Sequence, residues 1–327
     1  MKPITLTDVA KTAGVSLITA SRALSNPDRV SKRTAERVQA VAASVGYVPN
    51  LLAGGLRAQR SRTVAALVPS ISVSQFLPTV TTLTSELERA GYQLILGQTG
   101  YDRAREAALL QTMIGRRVDG IIVAGLLGTE AAGKTLRRSG IPVVETWDLT
   151  PHPFDMAVGF SHLKVGAAVA AFFLRKGWHK VGIATGDDER AAIRREGFMQ
   201  VMGGPVPTAT VPAPSSVALG RRALSELLSQ APGLRAVFCS ADALAEGVLT
   251  EARARGLRVP EDLAICGFGG ADFCAHLLPS LSTVHIDGIE IGRAATRLLL
   301  AHINGESIAS RIEDVGFHIV ERESTGN

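Results

Sequence analysis

The sequence predicts a mixed α/β protein in two parts: a small all-α head arranged as a helix-turn-helix, and a larger body of parallel sheets folded as two lobes. Three observations predict it. The chain has 327 residues, more than one hydrophobic core sustains. Helix caps and basic charge concentrate in the first sixty residues. Beyond residue 62 short apolar runs alternate with helix-length segments, the pattern of parallel sheets covered on both faces.

Composition narrows the class. Hydrophobic residues at 46% against 20% charged are the balance of an ordinary folded protein, and no run of about 18 uncharged apolar residues predicts a membrane-spanning helix. The opening Met1-Lys2-Pro3-Ile4-Thr5-Leu6-Thr7-Asp8 reaches an acid before an apolar segment can form, so no secretory signal is expected and the cytoplasm is the expected location. Cys239, Cys266 and Cys274 contain no C-x-x-C pair, which suits reduced core thiols. Charge is uneven along the chain. Nine Lys and Arg in positions 1–60 face only Asp8, Asp28 and Glu36, a net +6 that leaves −1 for the rest of a chain totalling +5. A small basic head on a near-neutral body is the footprint of a nucleic-acid-binding module, because phosphate neutralisation supplies most non-specific affinity; on charge alone, a solvated face would read the same.

Taken in order, Thr5-Leu6-Thr7-Asp8 has the spacing of a capping box and opens a helix through about Thr12. Ala13-Gly14-Val15-Ser16 supplies a tight turn and a second N-cap, followed by a helix from Leu17 to Leu24. Val9, Ala10, Val15, Ala20 and Leu24 are small or apolar at the spacing that lets two short helices cross, leaving Leu17, Ile18, Ser21 and Arg22 outside. A third helix, capped by Ser31 and running Thr34 to Val45 with Val38, Val41 and Val45 on one face, closes the core and stops at Gly46. In such an arrangement the second helix enters the DNA major groove.

In the body, predicted strands begin at Val64–Val68, Leu94–Leu96, Gly120–Val123 and Ile141–Val144, and continue at Val181–Ala184, Ala236–Cys239 and Leu263–Cys266, roughly eight units in all and hence two sheets. Ligands of such folds lie beyond the carboxyl ends of the strands. Signals of catalysis are weak. Gly267-Phe268-Gly269-Gly270-Ala271-Asp272 begins like a dinucleotide fingerprint but has Asp272 in place of the third glycine and lies far from the first βα turn. Asp187-Asp188-Glu189 reads as a helix N-terminus rather than a metal site, and the seven histidines lack metal-ligand spacing. No catalytic residue, metal or cofactor is expected.

The head resembles the lac repressor family: Thr5-Leu6-Thr7-Asp8-Val9-Ala10, Ala13-Gly14-Val15-Ser16, Ser21-Arg22, Val30-Ser31 and Gly46-Tyr47-Val48-Pro49-Asn50 match its signature in order and spacing. The resemblance implies base reading by Leu17, Ile18 and Arg22, with apolar side chains favouring thymine methyls and Arg22 gripping guanine. It implies phosphate contacts by Thr5, Ser16, Thr19, Ser21 and Ser31. Residues 50–60 match the family's hinge helix, which includes Asn50 and Ala53 and wedges Leu56 into the minor groove; Gly54-Gly55 costs up to about 1 kcal/mol per glycine, so the hinge is expected to be unusually disordered off DNA, and a plain flexible linker is the other reading. The implied organisation is a head at 1–49, a hinge and linker at 50–62, and at 63–327 a periplasmic-binding-protein-like effector-binding and dimerisation body whose chain crosses between lobes near 157–160, 285–288 and 308–316.

The resemblance also nominates effector-cleft residues: Ser70 and Phe76 after the first strand, Trp147 and Asp148 after Val143–Thr146, Phe160, Arg194, Asp242 after Phe238-Cys239-Ser240, and Asp272. Val143-Val144-Glu145, Ala157-Val158-Gly159-Phe160, Asp188-Glu189-Arg190 and Val315-Gly316-Phe317 look most similar to gluconate-type repressors, which implies a sugar-acid effector, its carboxylate on Arg194, its carbon chain on Trp147 and its hydroxyls on Asp148, Asp242 and Asp272. Many family members carry Asn at Ala241 and an acid at Gly269, and these losses point away from a neutral sugar; Ser161-His162 departs from the Asp-Asn pair common in the gluconate-type subgroup. The expectation is a homodimeric repressor of operator DNA, since no heptad repeat follows Phe317–Val320. A regulator answering a neutral sugar or sugar phosphate, a sugar-binding receptor and an enzyme fused to a DNA module are the alternatives.

Overall fold

The computed structural model describes residues 4–48, 60–128 and 130–326. Residues 1–61 and 62–327 form separate compact units. The segment expected as the hinge, with Asn50, Ala53 and Leu56, lies outside the described residues.

In the first unit, α1 (Leu6–Ala13), α2 (Leu17–Ser25) and α3 (Lys32–Val45) each begin at a hydroxyl cap. Thr5 and Asp8 form the reciprocal box, the Thr5 amide donating to Asp8 Oδ2 at 2.9 Å. Gly14 ends α1 at φ 63°, a left-handed conformation that glycine adopts without steric cost. α3 starts two residues earlier than expected because a helix begins directly after its cap, here Ser31. Val9, Ala10, Ala13, Ala20, Ala23, Val38 and Ala42 are its buried core, while Val15, Leu24, Val41 and Val45 pack around it half-buried. The alanines dominate because close helix crossings leave room for little more than a methyl.

The second unit holds two six-stranded sheets. Lobe 1 contains β1 (Thr63–Val68), β2 (Gln93–Gln98), β3 (Gly120–Ala124), β4 (Val143–Thr146), β5 (Met156–Gly159) and β11 (Ile312–Asp314), ordered β11-β5-β4-β3-β1-β2. Helices α4 (Leu77–Arg89), α5 (Arg103–Gly115), α6 (Glu130–Ser139) and α11 (Gly288–Asn304) belong with it. Lobe 2 contains β6 (Val181–Gly186), β7 (Thr208–Val211), β8 (Ala236–Cys239), β9 (Ala264–Gly269), β10 (Ser282–His285) and β12 (His318–Val320), ordered β12-β10-β9-β8-β6-β7. Its helices are α7 (His162–Arg175), α8 (Glu189–Met202), α9 (Val217–Gln230) and α10 (Asp242–Ala254). Among these strands β12 alone runs antiparallel to its neighbour, β10.

Sequence reading undercounts the strands: it omits β5, a buried apolar run of only four residues, and three others that share a cause. β7 and β11 are short edge strands, and β10 reads Ser-Thr-Val-His, so none presents the continuous apolar run of a doubly covered central strand. The chain crosses between lobes at residues 160–161, 286–287 and 315–317; the second lies within its expected window, and the first and third fall at the end of theirs because β5 and β11 extend up to those points. Cys239, Cys266 and Cys274 are buried free thiols.

One packing detail positions the cleft. Helices α7 and α8 touch through Gly166 and Gly197: a Cβ at Gly166 would fall 1.8 Å from the Arg194 carbonyl oxygen, and one at Gly197 2.0 Å from that of Leu163. Only glycine permits this approach, and it brings Arg194 against the first turn of α7.

Candidate functional site

On the head, Leu17 and Ile18 are 50% and 58% exposed, and Ser21 and Arg22 are exposed beside them on α2. Two adjacent apolar side chains facing solvent next to a guanidinium form a surface suited to base edges in a groove. Ser16 and Ser31 cap α2 and α3, accepting from the Thr19 and Thr34 amides at 3.2 and 3.3 Å, and the Thr19 hydroxyl lies 2.8 Å from that of Ser16. The expected phosphate-contacting hydroxyls of Thr5, Ser16 and Ser31 thus stand at helix N-termini, where amide dipoles favour an anion.

On the body, the strand ends of the two lobes enclose a cavity of about 70 Å³ lined by Trp147, Arg194 and Asp242 together with His162, Tyr101 and Arg190. It adjoins a larger space of about 440 Å³ that includes Asp148 and shares Tyr101, Asp188 and Arg190. Phe76 and Phe160 stand behind Trp147, their ring centroids 5.1 and 6.1 Å from its own, and line no part of the smaller cavity. Ser70 is buried with its hydroxyl 2.7 Å from that of Ser72 and lines neither space. Asp272 departs furthest from expectation. Its side chain is wholly exposed, 3.8 Å from His276, because the short turn Asp272–Ala275 directs it to solvent.

Arg194 is the electrostatic centre. It is 5% exposed, donates from Nη2 to the Ser240 carbonyl at 3.0 Å and from Nη1 to His162 Nδ1 at 2.9 Å, and lies 4.1 Å over the Phe268 ring. Its Nε has no hydrogen-bond partner, and among the described residues no carboxylate pairs with it. Burial lowers its pKa to about 10, which keeps it charged at neutral pH. The Asp188 and Asp148 carboxylates favour its charge without pairing with it, and a buried cation lacking a direct ion pair carries a desolvation penalty that an anion in the cavity would further offset. Asp148 is also buried, which raises its carboxyl; it accepts from the adjacent Leu149 amide at 2.8 Å, with Arg190 and Arg194 acting in the opposite direction on its charge.

Asp242 is more constrained than expected. Its Oδ2 accepts from the Ala271 amide at 2.7 Å and its Oδ1 from the Thr283 hydroxyl at 2.6 Å, so both oxygens already brace the β9–β10 connection. Burial nonetheless raises its pKa. At Gly269, φ 132° is a backbone conformation that side chains rarely adopt, and a Cβ there would lie 3.1 Å from both Asp242 Oδ2 and Gln75 Oε1, so a larger residue would be strained and would press on those side chains. Arg103 of α5 meets Glu189 of α8 at 2.5 Å, tying the lobes at the mouth of the cleft. His162, Tyr101 and Arg190 are not among the residues nominated from sequence, although the Ser161-His162 departure marks His162 and Arg190 lies one helical turn before Arg194 on α8.

Comparison with known proteins places this geometry. Residues 5–50 match the family of bacterial regulatory proteins, lacI family, and residues 170–325 match the periplasmic binding protein-like domain. The HTH-type transcriptional regulator GntR of Pseudomonas aeruginosa is 36% identical over 98% of this chain and 95% of its own length, and the HTH-type transcriptional regulator IdnR of Escherichia coli K12 is 33% identical over 97% of each. A crystal structure of a LacI-family transcriptional regulator from Silicibacter pomeroyi superposes with a TM-score of 0.93 at 32% identity, covering 99% of this chain and 100% of that one. The lac repressor dimer bound to operator shares the fold at a TM-score of 0.84 and 21% identity, covering 99% of each chain. Head, two-lobed body and near full-length identity together establish that the chain belongs to the lacI family of bacterial regulatory proteins.

Proposed function

We propose that this DNA-binding transcriptional regulator is a cytoplasmic, homodimeric repressor whose effector is a sugar acid such as gluconate, held between the lobes with its carboxylate on Arg194. The observation that carries the reading is the buried, ion-pair-free guanidinium facing the cavity. A carboxylate there would gain charge-assisted hydrogen bonds and relieve a desolvated cation, while a neutral sugar would do neither. Trp147 offers a flat apolar wall, and Asp148 accepts from hydroxyls in the larger space. The names of the relatives GntR and IdnR point in the same direction.

On the DNA side, residues 1–49 form the reading head, with Leu17 and Ile18 against thymine methyls, Arg22 on guanine, and Thr5, Ser16, Thr19, Ser21 and Ser31 on phosphates. Residues 50–62 form the hinge that couples it to the body at 63–327, Leu56 entering the minor groove beside Asn50 and Ala53. Two copies present paired heads to a pseudo-palindrome, and the exposed Ile71, Leu77 and Leu278 supply apolar surface for a second copy to cover. Effector alters operator affinity by its differential affinity for the two lobe arrangements.

Calorimetry with gluconate, sorbitol and a phosphorylated sugar tests the reading on wild type and Arg194→Ala. Wild type binds gluconate over sorbitol, and the variant loses about a hundredfold or more in affinity while its effector-free operator affinity is unchanged. Undiminished gluconate binding by the variant refutes the assignment, and preference for the phosphorylated sugar replaces the effector class.

A further inference from the structure

His162 occupies a position that neither the base-reading nor the carboxylate-binding role explains. It opens α7 immediately after the first crossing and is 4% exposed. Its Nδ1 lies 2.9 Å from Arg194 Nη1 and its Nε2 3.0 Å from the Trp147 carbonyl oxygen. Chemistry then settles the tautomer. A guanidinium only donates, so Nδ1 accepts; a carbonyl only accepts, so Nε2 carries the hydrogen. A protonated ring would lose the Arg194 bond altogether.

The bond to Trp147 does not end there. Trp147 follows β4 at φ 63°, a left-handed backbone unusual for a tryptophan, and its indole Nε1 donates to the Thr79 hydroxyl at 3.1 Å. Thr79 of α4 in turn donates to the Gly288 carbonyl at 2.8 Å, on the first residue of α11 just past the second crossing. A continuous run of hydrogen bonds therefore leads from Arg194 in lobe 2 through His162, Trp147 and Thr79 to Gly288 in lobe 1, touching two of the three crossings.

We propose that His162 is a positioning residue for the effector response: its Nδ1 aims Arg194 at the effector anion, and its Nε2–H transmits the resulting displacement to lobe 1 through Trp147, Thr79 and Gly288. This rests on the reading of Arg194 as the anion-binding group. The ring is suited to that task by its surroundings. Phe160 and Phe268 pack on it at 4.7 and 6.0 Å. The charged groups acting on it are the Arg194 and Arg190 guanidiniums of α8, and burial together with these cations holds its pKa well below the ordinary histidine value. The neutral tautomer is thus the working form across physiological pH.

Two substitutions separate the two bonds. In His162→Asn the amide oxygen takes the place of Nδ1 without reaching Trp147, and in His162→Gln the amide nitrogen takes the place of Nε2 without serving Arg194. Gluconate is the probe, and both effector affinity and effector-driven change in operator affinity are measured on the full chain. His162→Gln is expected to lose about tenfold or more in gluconate affinity, and His162→Asn to bind within about threefold of wild type while its operator response is blunted. Wild-type gluconate affinity in His162→Gln, or a full operator response in His162→Asn, overturns the proposal. A third measurement needs neither ligand nor variant: the imidazole ¹H–¹⁵N spectrum of wild type should show a non-titrating Nε2–H ring, and an Nδ1–H tautomer, or titration near the ordinary histidine value, overturns it. If wild type binds no sugar acid, the effector reading fails on its own and the spectrum alone decides the tautomer on which the relay depends.

Discussion

Gly166→Ala tests how the cleft is built. The new methyl carbon would sit 1.8 Å from the Arg194 carbonyl oxygen and 2.8 Å from the Phe198 amide nitrogen, both backbone atoms that cannot rotate away. Ordinary contact begins near 3.4 Å, so α7 and α8 must separate by about 1.5 Å along that line. Against this, alanine gains up to about 1 kcal/mol of helix propensity over glycine. Overpacking of a closed backbone contact costs about 1 to 3 kcal/mol, occasionally more, so the net sign is destabilising, with a fall in Tm of about 2 to 4 °C per kcal/mol. The same separation carries Arg194 away from His162 and Ser240 and leaves the binding geometry about an ångström too loose, so gluconate affinity falls more than stability does. Thermal unfolding and calorimetry on the same preparation read both quantities. A variant as stable as wild type with unaltered gluconate affinity would show that the close crossing is not what positions Arg194.

Three further outcomes are expected. Arg22→Ala weakens specific operator binding by about 1 to 3 kcal/mol and relaxes sequence preference at one base pair; equal losses on operator and random DNA in a gel-shift titration would assign Arg22 to phosphate instead. Asp148→Asn concerns pH: because burial raises the folded-state carboxyl above its unfolded value, the charged form destabilises the fold, and this penalty is absent below the unfolded carboxyl pKa and grows until pH passes the folded one. Urea unfolding should therefore show the variant gaining on wild type as pH rises through that window and levelling off above it, and a constant difference at all pH values would contradict the sign. Replacing Gly54 and Gly55 together by alanine lowers the ordering cost of a hinge helix by up to about 1 kcal/mol per residue, so operator affinity rises and, if effector acts by separating the hinges, more of it is required for release; unchanged or weaker operator binding in a gel shift would reject a hinge that folds on DNA.

The head was legible because its signals are local. Thr5, Ser16 and Ser31 announce helix starts and Gly14 and Gly46 helix ends through bonds within a few residues, and the exposure of Leu17 and Ile18 follows from helical periodicity once the caps are placed. The parallel sheets were legible for the same kind of reason, since a strand covered on both faces must be apolar throughout; the edge strands β7 and β11 are not so covered and left no such mark. The cleft depended on contacts that no local pattern encodes. Asp242 and Asp272 are both acids near strand ends, yet one turns inward to Ala271 and Thr283 and the other stands in solvent. His162 reads as a lone histidine 32 positions from Arg194. It becomes part of the site only because two helices cross at Gly166 and Gly197 and because the chain, having just passed between lobes, returns its ring to the carbonyl of Trp147. Hydrogen bonds to helix caps are fixed by neighbours in sequence, whereas the partner of a buried polar group is fixed by whichever backbone the packing of the core brings within 3 Å.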